Sequence, residues 1–429
     1  MRKMVLIEGE LLPHFCDAQF GKVSFMLDKL STIQDVEHSY KYYQIMRDTQ
    51  PVWYDEQTRS WNVFRYQDVY TVVTDHQRFS SQMKASRSLD RVLENESRIK
   101  MGKALTRLDP PLHRRYRNLV SPAFTPRALS RLSGRIEAIS QELLDQVRAA
   151  GKMEFVADFA YPLPTIVIAE MIGVPTSDRP LFRGWADELL NSQIQRAEEP
   201  HDGDSNVRRM VDVFAEMSEY FDRMLEERRR HPRNDMMSEL LAVELDGERL
   251  STEDTISFCI TLLLAGHVTT LNLLSLAIYC FHTHPDAMER LRKQRELMPG
   301  AIEEVLRYMS PVRALRRVTA ADVTLGDVTI PKNAQVFAWL ASANYDERQF
   351  AEPERFDITR EPNKHLSFGH GVHFCIGAPL ARMEAGIALP MILQQLPELR
   401  IETDQPLELL EGSGILGFKR LPVTFTASA

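Results

Sequence analysis

Between Thr255 and Phe281 the chain carries no formal charge once His267 is neutral, and this run limits the fold more than any other stretch. A helix over it is long enough to cross a bilayer. Against that reading, Ser257, Thr261, His267, Thr269, Thr270, Asn272 and Ser275 punctuate the run. Its N-terminal flank, Glu253-Asp254, is acidic, and no basic anchor adjoins either end. What remains is a long helix buried at the centre of a large domain. Ser251-Thr252-Glu253-Asp254 has the form of a capping box and Pro285 ends the pattern, which predicts a helix from Ser251 to about His284. Its middle, Ala265-Gly266-His267-Val268-Thr269-Thr270, sets small residues beside hydroxyls. Small residues leave room for a cofactor, and a hydroxyl can bind a ligand or relay a proton. The alternative, threonine bonding back to its own helix, stands level with it.

A central helix of that length needs a large domain around it. The chain has 429 residues, 44% of them hydrophobic, with no repeat, low-complexity tract or Gly/Ser-rich linker. At roughly 150 residues per domain this length suggests two or three domains, and one large, mainly α-helical domain with small β-sheets over 1–429, with residues 1–30 as an N-terminal extension, stays open beside them. The net charge of −8 argues against a nucleic-acid binder. The N-terminus turns acidic too early for a signal peptide. Cysteines 16, 259, 280 and 375 form no Cys-x-x-Cys and no short Cys/His cluster, which excludes zinc ribbons and disulfide scaffolds and fits a cytoplasmic setting.

Taken in order, Asp35–Thr49 predicts a helix stopped by Pro51. Val52–Tyr54 and Trp61–Phe64 predict paired strands, and Gln67–Asp75 a second helix. From Lys84 to Arg107 seven basic residues face three acidic ones, a solvated loop or else an entrance that favours an anionic substrate. In Leu108-Asp109-Pro110-Pro111-Leu112-His113-Arg114-Arg115-Tyr116-Arg117, Asp109 is expected to cap a helix whose first turn carries the prolines. His113 and Arg117 then share a face and suit a carboxylate held at two points. Arg114, Arg115 and Arg127 extend a basic patch fit to dock an acidic electron carrier. Residues 129–247 are helical between breaks, and the polar break at 200–206 is expected to act as a lid. Glu304 and Arg307, at i,i+3 among apolar residues, form either a surface pair or a buried structural network. Val312–Val318, Val323–Ile330 and Gln335–Leu340 predict a second sheet carrying Arg313, Arg316 and Arg317. Gly412–Leu416 and Leu421–Phe425 predict closing strands.

Phe368-Gly369-His370-Gly371-Val372-His373-Phe374-Cys375-Ile376-Gly377 precedes an apolar, alanine-rich run from Ala378 to Leu389. Glycines 369, 371 and 377 permit positive φ and a close backbone approach to something bulky. A helix starting just after Cys375 aims its amides at the sulfur and favours the thiolate, the form that binds metal. A lone cysteine so presented is a candidate axial ligand for haem iron.

Phe368, Gly369, Gly371, His373, Cys375 and Gly377 stand at the spacing of the haem-binding loop of the cytochromes P450. The Ala-Gly-x-x-Thr-Thr centre at 265–270, the Glu-x-x-Arg pair at 304 and 307, the Phe-Asp pair at 356 and 357 and His113-x-x-x-Arg117 complete the family's motifs in its order. The chain thus resembles a soluble bacterial cytochrome P450 over nearly its whole length. The resemblance implies a triangular, mostly helical fold with haem b between the long central helix and the cysteine loop. It implies Cys375 as the iron's axial ligand, and His113, Arg117, His373 and Arg317, with Arg316 as the alternative, as partners of the haem propionates. Glu304 and Arg307 would hold the core, Thr269 would be the alcohol of the distal pocket, and Ala265 and Gly266 would widen the helix over the iron. The implied reaction is insertion of one atom of O2 into a hydrophobic organic substrate, by hydroxylation or epoxidation. Electrons would come from a separate acidic ferredoxin or flavodoxin.

The family has an acid immediately before that threonine; here it is Val268. The proton relay must then run through Thr269 or Thr270, His267, water or the substrate. The expectation is that oxygen use is partly uncoupled and that Val268→Glu lowers peroxide leakage. The missing acid keeps two other readings open: a haem-thiolate enzyme driven by peroxide or catalysing rearrangement or coupling, and a non-catalytic haem protein that binds a ligand. The basic 84–107 segment points to a carboxylate-bearing or carrier-linked substrate such as a fatty acid or polyketide.

Overall fold

The computed structural model describes residues 30–82, 99–100, 102–185, 188, 203–244, 247–404, 406–410 and 414–427. The N-terminal extension and most of the basic 84–107 segment lie outside the described residues. So does the first part of the expected lid at 200–206; its second part already belongs to a helix.

In chain order the structure runs α1 (Ile33–Thr49), β1 (Val52–Asp55), β2 (Ser60–Val63), α2 (Tyr66–Thr74), β3 (Phe79–Ser80) and α3 (Leu112–Val120). Then come α4 (Ser133–Val147), β4 (Lys152–Glu154), α5 (Pro162–Ile172), α6 (Gly203–Arg230) and α7 (Met236–Ala242). The second half holds α8 (Thr252–Thr283), α9 (Pro285–Lys293), α10 (Met298–Tyr308), β5 (Ala314–Thr319), β6 (Val323–Leu325), β7 (Val328–Ile330), β8 (Gln335–Trp339), α11 (Ala378–Gln395), β9 (Arg400–Ile401) and β10 (Pro422–Thr424). The protein is mostly helical, with small sheets.

The uncharged run is the central helix, α8, enclosed by α5, α6, α7, α10 and α11. Ile256, Cys259, Leu263, Leu274, Leu276 and Phe281 are fully buried along it. At roughly 1.5–3 kcal/mol for each large apolar side chain buried, this outweighs the modest helix propensity of its threonines. Ser251 caps the helix by accepting from the Asp254 amide at 3.0 Å. Asp254 does not complete the box. Its carboxylate accepts instead from the Tyr116 hydroxyl at 2.6 Å and the Lys103 amide at 2.8 Å, tying α3 and its approach to the start of α8. Where α5 crosses, a Cβ on Gly266 would stand 2.3 Å from Ile168 Cδ1. The glycine therefore serves helix packing at least as directly as it serves the cavity.

The strands differ from the sequence expectation in three ways. Val323–Ile330 is a hairpin, with Val323 facing Ile330 and Leu325 facing Val328 across Gly326 at φ +58°. The second sheet does not exist as a separate sheet. β8 runs parallel to β2 and antiparallel to β5, giving one five-stranded sheet in the order β1-β2-β8-β5-β3. Period-2 alternation shows that a segment is extended but not which distant strand it pairs with. Of the closing strands, β10 pairs with β4 and β9, whereas Gly412–Leu416 contributes only a bridge from Ile415 to Val312, with 411–413 outside the described residues.

Glu304 and Arg307 on α10 are fully buried and form a bidentate ion pair, both contacts 2.8 Å. Arg307 also donates to the carbonyls of Asn344, Pro353 and Arg355. Glu304 accepts from the Asp357 amide, Arg360 and Asn363. The pair thereby orders the irregular 344–363 segment that leads into the cysteine loop.

Candidate active site

The cysteine loop is closed by its own backbone: the Cys375 amide donates to the Phe368 carbonyl at 2.9 Å and the Gly369 amide to that of Leu366 at 2.7 Å. Gly369 (φ +66°) and Gly371 (φ +70°) lie in the left-handed region, as their sequence setting predicts. Gly377 does not. At φ −81° it is the N-cap of α11, and what it provides is nearness, a Cβ there standing 3.9 Å from Cys375 Sγ. Cys375 opens into a cavity between α8 and the loop. Burial pushes its thiol pKa up, while the amides of Gly377 and Ala378 and the guanidinium groups of Arg117 and Arg382 pull it down. The helix N-terminus acts in the expected direction, and burial outweighs it.

On the facing wall α8 contributes Phe258, Thr261, Leu262, Ala265, Gly266, Thr269 and Thr270, which recur at helical spacing along one face. Thr269 Oγ donates to the Ala265 carbonyl at 2.7 Å, so its hydrogen is engaged and its oxygen is left as an acceptor. His267 and Val268 are not among the lining residues. His267 is buried on another face of α8, edge-on to the Tyr161 ring with centroids 4.3 Å apart, and its Nε2 has no hydrogen-bond partner. Desolvation holds its pKa down at about 4.

At one end of the cavity α3 presents His113 and Arg117 beside His373 of the loop. The two imidazole rings are 4.2 Å apart, and Arg117 donates to the Val372 carbonyl at 3.3 Å, fastening α3 to the loop. Burial first, and then the charge of Arg117, presses His113 to about 4; burial, then His113 and Arg317, presses His373 to about 3. His113 Nδ1 is buried without a partner. Arg317 acts on His373 electrostatically, whereas Arg316 is repelled by Arg107, so of the two arginines it is Arg317 that lies near His373. Neither Arg317 nor Gly369 lines the cavity itself; Phe368 does.

Asp109 is not a helix cap. Pro111 occupies the N-cap position of α3, and the Asp109 carboxylate turns away to accept from Ser80 Oγ and, at 3.0 Å, from the Ser81 amide. It lies 3.8 Å from His373 Nε2, which also contacts Ser81 Oγ at 3.0 Å. Sequence reasoning missed Ser81, because nothing in its local pattern distinguishes it. It also missed the cavity residues Leu105, Thr106, Phe124, Ile376 and Glu384.

A haem fits this residue set. A thiol faces an apolar cavity, and at one end an orphaned imidazole nitrogen, a second histidine and two arginines converge. Such a cluster is costly by itself and matches a dianionic edge.

The comparisons with known proteins agree. The Cytochrome P450 family matches residues 29–426. The chain is 40% identical to the putative cytochrome P450 YjiB of Bacillus subtilis, covering 91% of this chain and 94% of the relative. It is 38% identical to the cyclomarin C epoxidase CymV of Salinispora arenicola, covering 90% and 95%. Among solved structures, CYP109E1 from Bacillus megaterium in complex with testosterone superposes with a TM-score of 0.81 at 36% identity, covering 90% of this chain and 99% of that one. With a lone thiol across the cavity from a long buried helix, the chain belongs to the cytochrome P450 family and is a haem-thiolate monooxygenase.

Proposed function

We propose that this enzyme hydroxylates or epoxidises a neutral, mainly apolar molecule of about steroid size, and that residues 1–429 form a single catalytic domain holding haem b. The observation that carries the substrate class is the lining away from the loop. Leu105, Phe124, Phe258 and Leu262 are apolar, with Thr106 and Thr261 offering hydroxyls that make no side-chain hydrogen bond among the described residues. Apart from the loop cysteine and the histidines, the ionisable lining side chains are Arg117, committed to the histidine end, and Glu384, whose pKa burial pushes up to about 8. This favours a neutral ligand over the carboxylate-bearing or carrier-linked one expected from the 84–107 segment. Two relatives support the direction: one is an epoxidase by name, and one holds testosterone.

Cys375 would ligate the iron, with His113, Arg117, His373 and Arg317 on the propionates. The group supplies oxygen activation when bound. The protein's part is to exclude water with the apolar wall, orient the substrate through Thr106 and Thr261, and pass protons along the α8 hydroxyls. Thr269 is suited to the last task because its oxygen stays free to accept while its hydrogen is anchored. A separate acidic ferredoxin or flavodoxin would dock near the exposed Arg114 and Arg127 and near Arg115, which is paired with Glu248. We place the enzyme in the cytoplasm.

The test is a ligand panel on the purified haem protein. Neutral steroids and terpenoids should give spin-state shifts at concentrations roughly tenfold below those of size-matched carboxylates. Tighter binding of the carboxylates would reverse the substrate assignment. The reduced carbonyl complex should show the thiolate-type Soret shift, and Cys375→Ser should abolish it.

A further inference from the structure

His373 stands at the histidine end of the cavity, and one of its two ring nitrogens is already engaged. Nε2 lies 3.0 Å from Ser81 Oγ, whereas Asp109 Oδ1, at 3.8 Å, is too far away for a hydrogen bond. Nδ1 makes no hydrogen bond among the described residues, and the ring lines the cavity. Ser81 is 2% exposed, and its hydroxyl makes no other hydrogen bond among the described residues. Asp109 fixes its place by accepting the Ser81 amide on Oδ1 at 3.0 Å and the Ser80 hydroxyl on Oδ2. Three segments distant in sequence thus meet to set one hydroxyl against one ring nitrogen. The direction of that bond decides what the other nitrogen can do. A neutral imidazole carries one hydrogen, so a nitrogen that accepts leaves the other as a donor. If Nε2 donated to Ser81, Nδ1 would be a bare lone pair that repels a carboxylate, and the Ser81 hydrogen would be buried without an acceptor. With Ser81 donating to Nε2, the ring hydrogen sits on Nδ1, the nitrogen left free. Because the partner is a hydroxyl and not the Asp109 carboxylate, the pair needs no second proton on the ring.

We propose that Ser81 is a positioning residue for the haem edge: its hydroxyl donates to His373 Nε2 and so holds the ring in the form whose Nδ1–H binds a cofactor carboxylate. This rests on the reading above, in which haem fills the cavity with its propionates at the histidine end. Asp109 serves the same end from behind, fixing Ser81 through its amide while standing too far from the ring to pair with it. Remove the Ser81 hydroxyl, and the Asp109 carboxylate draws the ring hydrogen to Nε2, leaving Nδ1 unable to donate.

The experiment uses the haem-loaded enzyme, with histidine labelled for nitrogen NMR, as its reduced carbonyl complex, which is diamagnetic. The thiolate-type Soret band is checked first. Its absence from the wild type refutes the monooxygenase reading; with the band present, the results below judge Ser81 alone. Nitrogen–proton correlation spectra at neutral pH, with the His373 signal identified by its loss in His373→Phe, should show a neutral ring protonated on Nδ1. A ring protonated on Nε2, or on both nitrogens, overturns the proposal. Ser81→Ala should move the hydrogen to Nε2 and speed haem transfer to apomyoglobin roughly tenfold, the scale of one hydrogen bond to a charged group. Ser81→Thr, which restores the hydroxyl, should return the hydrogen to Nδ1 and the rate to within about twofold of wild type. In a His373→Phe background, Ser81→Ala should change the transfer rate by less than about twofold, because a hydroxyl that acts through the ring has nothing left to position. Unchanged haem transfer in Ser81→Ala, or the same acceleration with and without His373, overturns the proposal. Should the variants lose haem outright, the wild-type spectrum decides.

Discussion

His267 shows how far a residue's position in a motif can mislead about its surroundings. It stands inside the Ala265–Thr270 centre of α8, yet 100° of helical turn per residue carries it off the cavity wall and against Tyr161. Its Nε2 is unpartnered and burial lowers its pKa from 6.5 to about 4. The sign follows from linkage. The unfolded chain protonates this histidine near 6.5 and the folded one only near 4, so the stability is present above 6.5 and is lost as pH falls. Between about pH 7.5 and pH 5 the loss should be about 2 kcal/mol. His267→Leu should remove that slope; urea unfolding of both proteins at the two pH values measures it, and parallel profiles would mean that the ring finds a partner in solution.

At the scale of elements, the joints between helices are specified more tightly than the helices themselves. Gly173 ends α5 at φ +103°, and its carbonyl accepts from Arg228 of α6 at 2.7 Å. Arg228, 1% exposed, also donates to Asp235 at 2.5 Å, and Asp235 in turn caps α7 through the Ser238 amide at 2.8 Å. A Cβ on Gly173 would meet the Asp235 carboxylate at 2.3 Å, so Gly173→Ala collides with the joint and strains the backbone together. Asp235→Asn preserves the cap, since asparagine and aspartate cap equally well, but removes the buried one of the two carboxylates that pair with Arg228 and leaves it only the exposed Glu227. Denaturant titration should show a loss of about 2 kcal/mol for Asp235→Asn, the scale of one charged hydrogen bond. A loss below about 1 kcal/mol would reduce Asp235 to an ordinary cap.

At the scale of the whole molecule, Glu304 and Arg307 connect α10 to the 344–363 segment and so to the loop that holds Cys375. Arg307→Met removes the bidentate partner of Glu304 and leaves that buried carboxylate only its single ion-pair contact with Arg360 at 3.2 Å, with an expected cost of about 3 kcal/mol. Haem retention should fall with it, read as faster haem transfer to apomyoglobin; a variant that keeps wild-type stability and retention would show that the meander orders itself. This pair also marks the boundary between what the chain states locally and what it does not. The central helix, the cysteine loop and the His113–Arg117 face were legible because each is encoded within a few turns: a charge-free run, glycines where φ is positive, an i,i+4 spacing. The same locality misread Asp109, whose carboxylate prefers Ser80 and Ser81 to a helix end, and it split one sheet into two. The sequence alone determined which side chains are candidates for the chemistry, since cysteine, histidine and threonine at those spacings have few other uses. Tertiary structure alone decided which of them face the cavity. Burial and pairing are set by segments distant in sequence, and only their meeting leaves Glu384 without a partner on the wall while turning His267 and Val268 away from it.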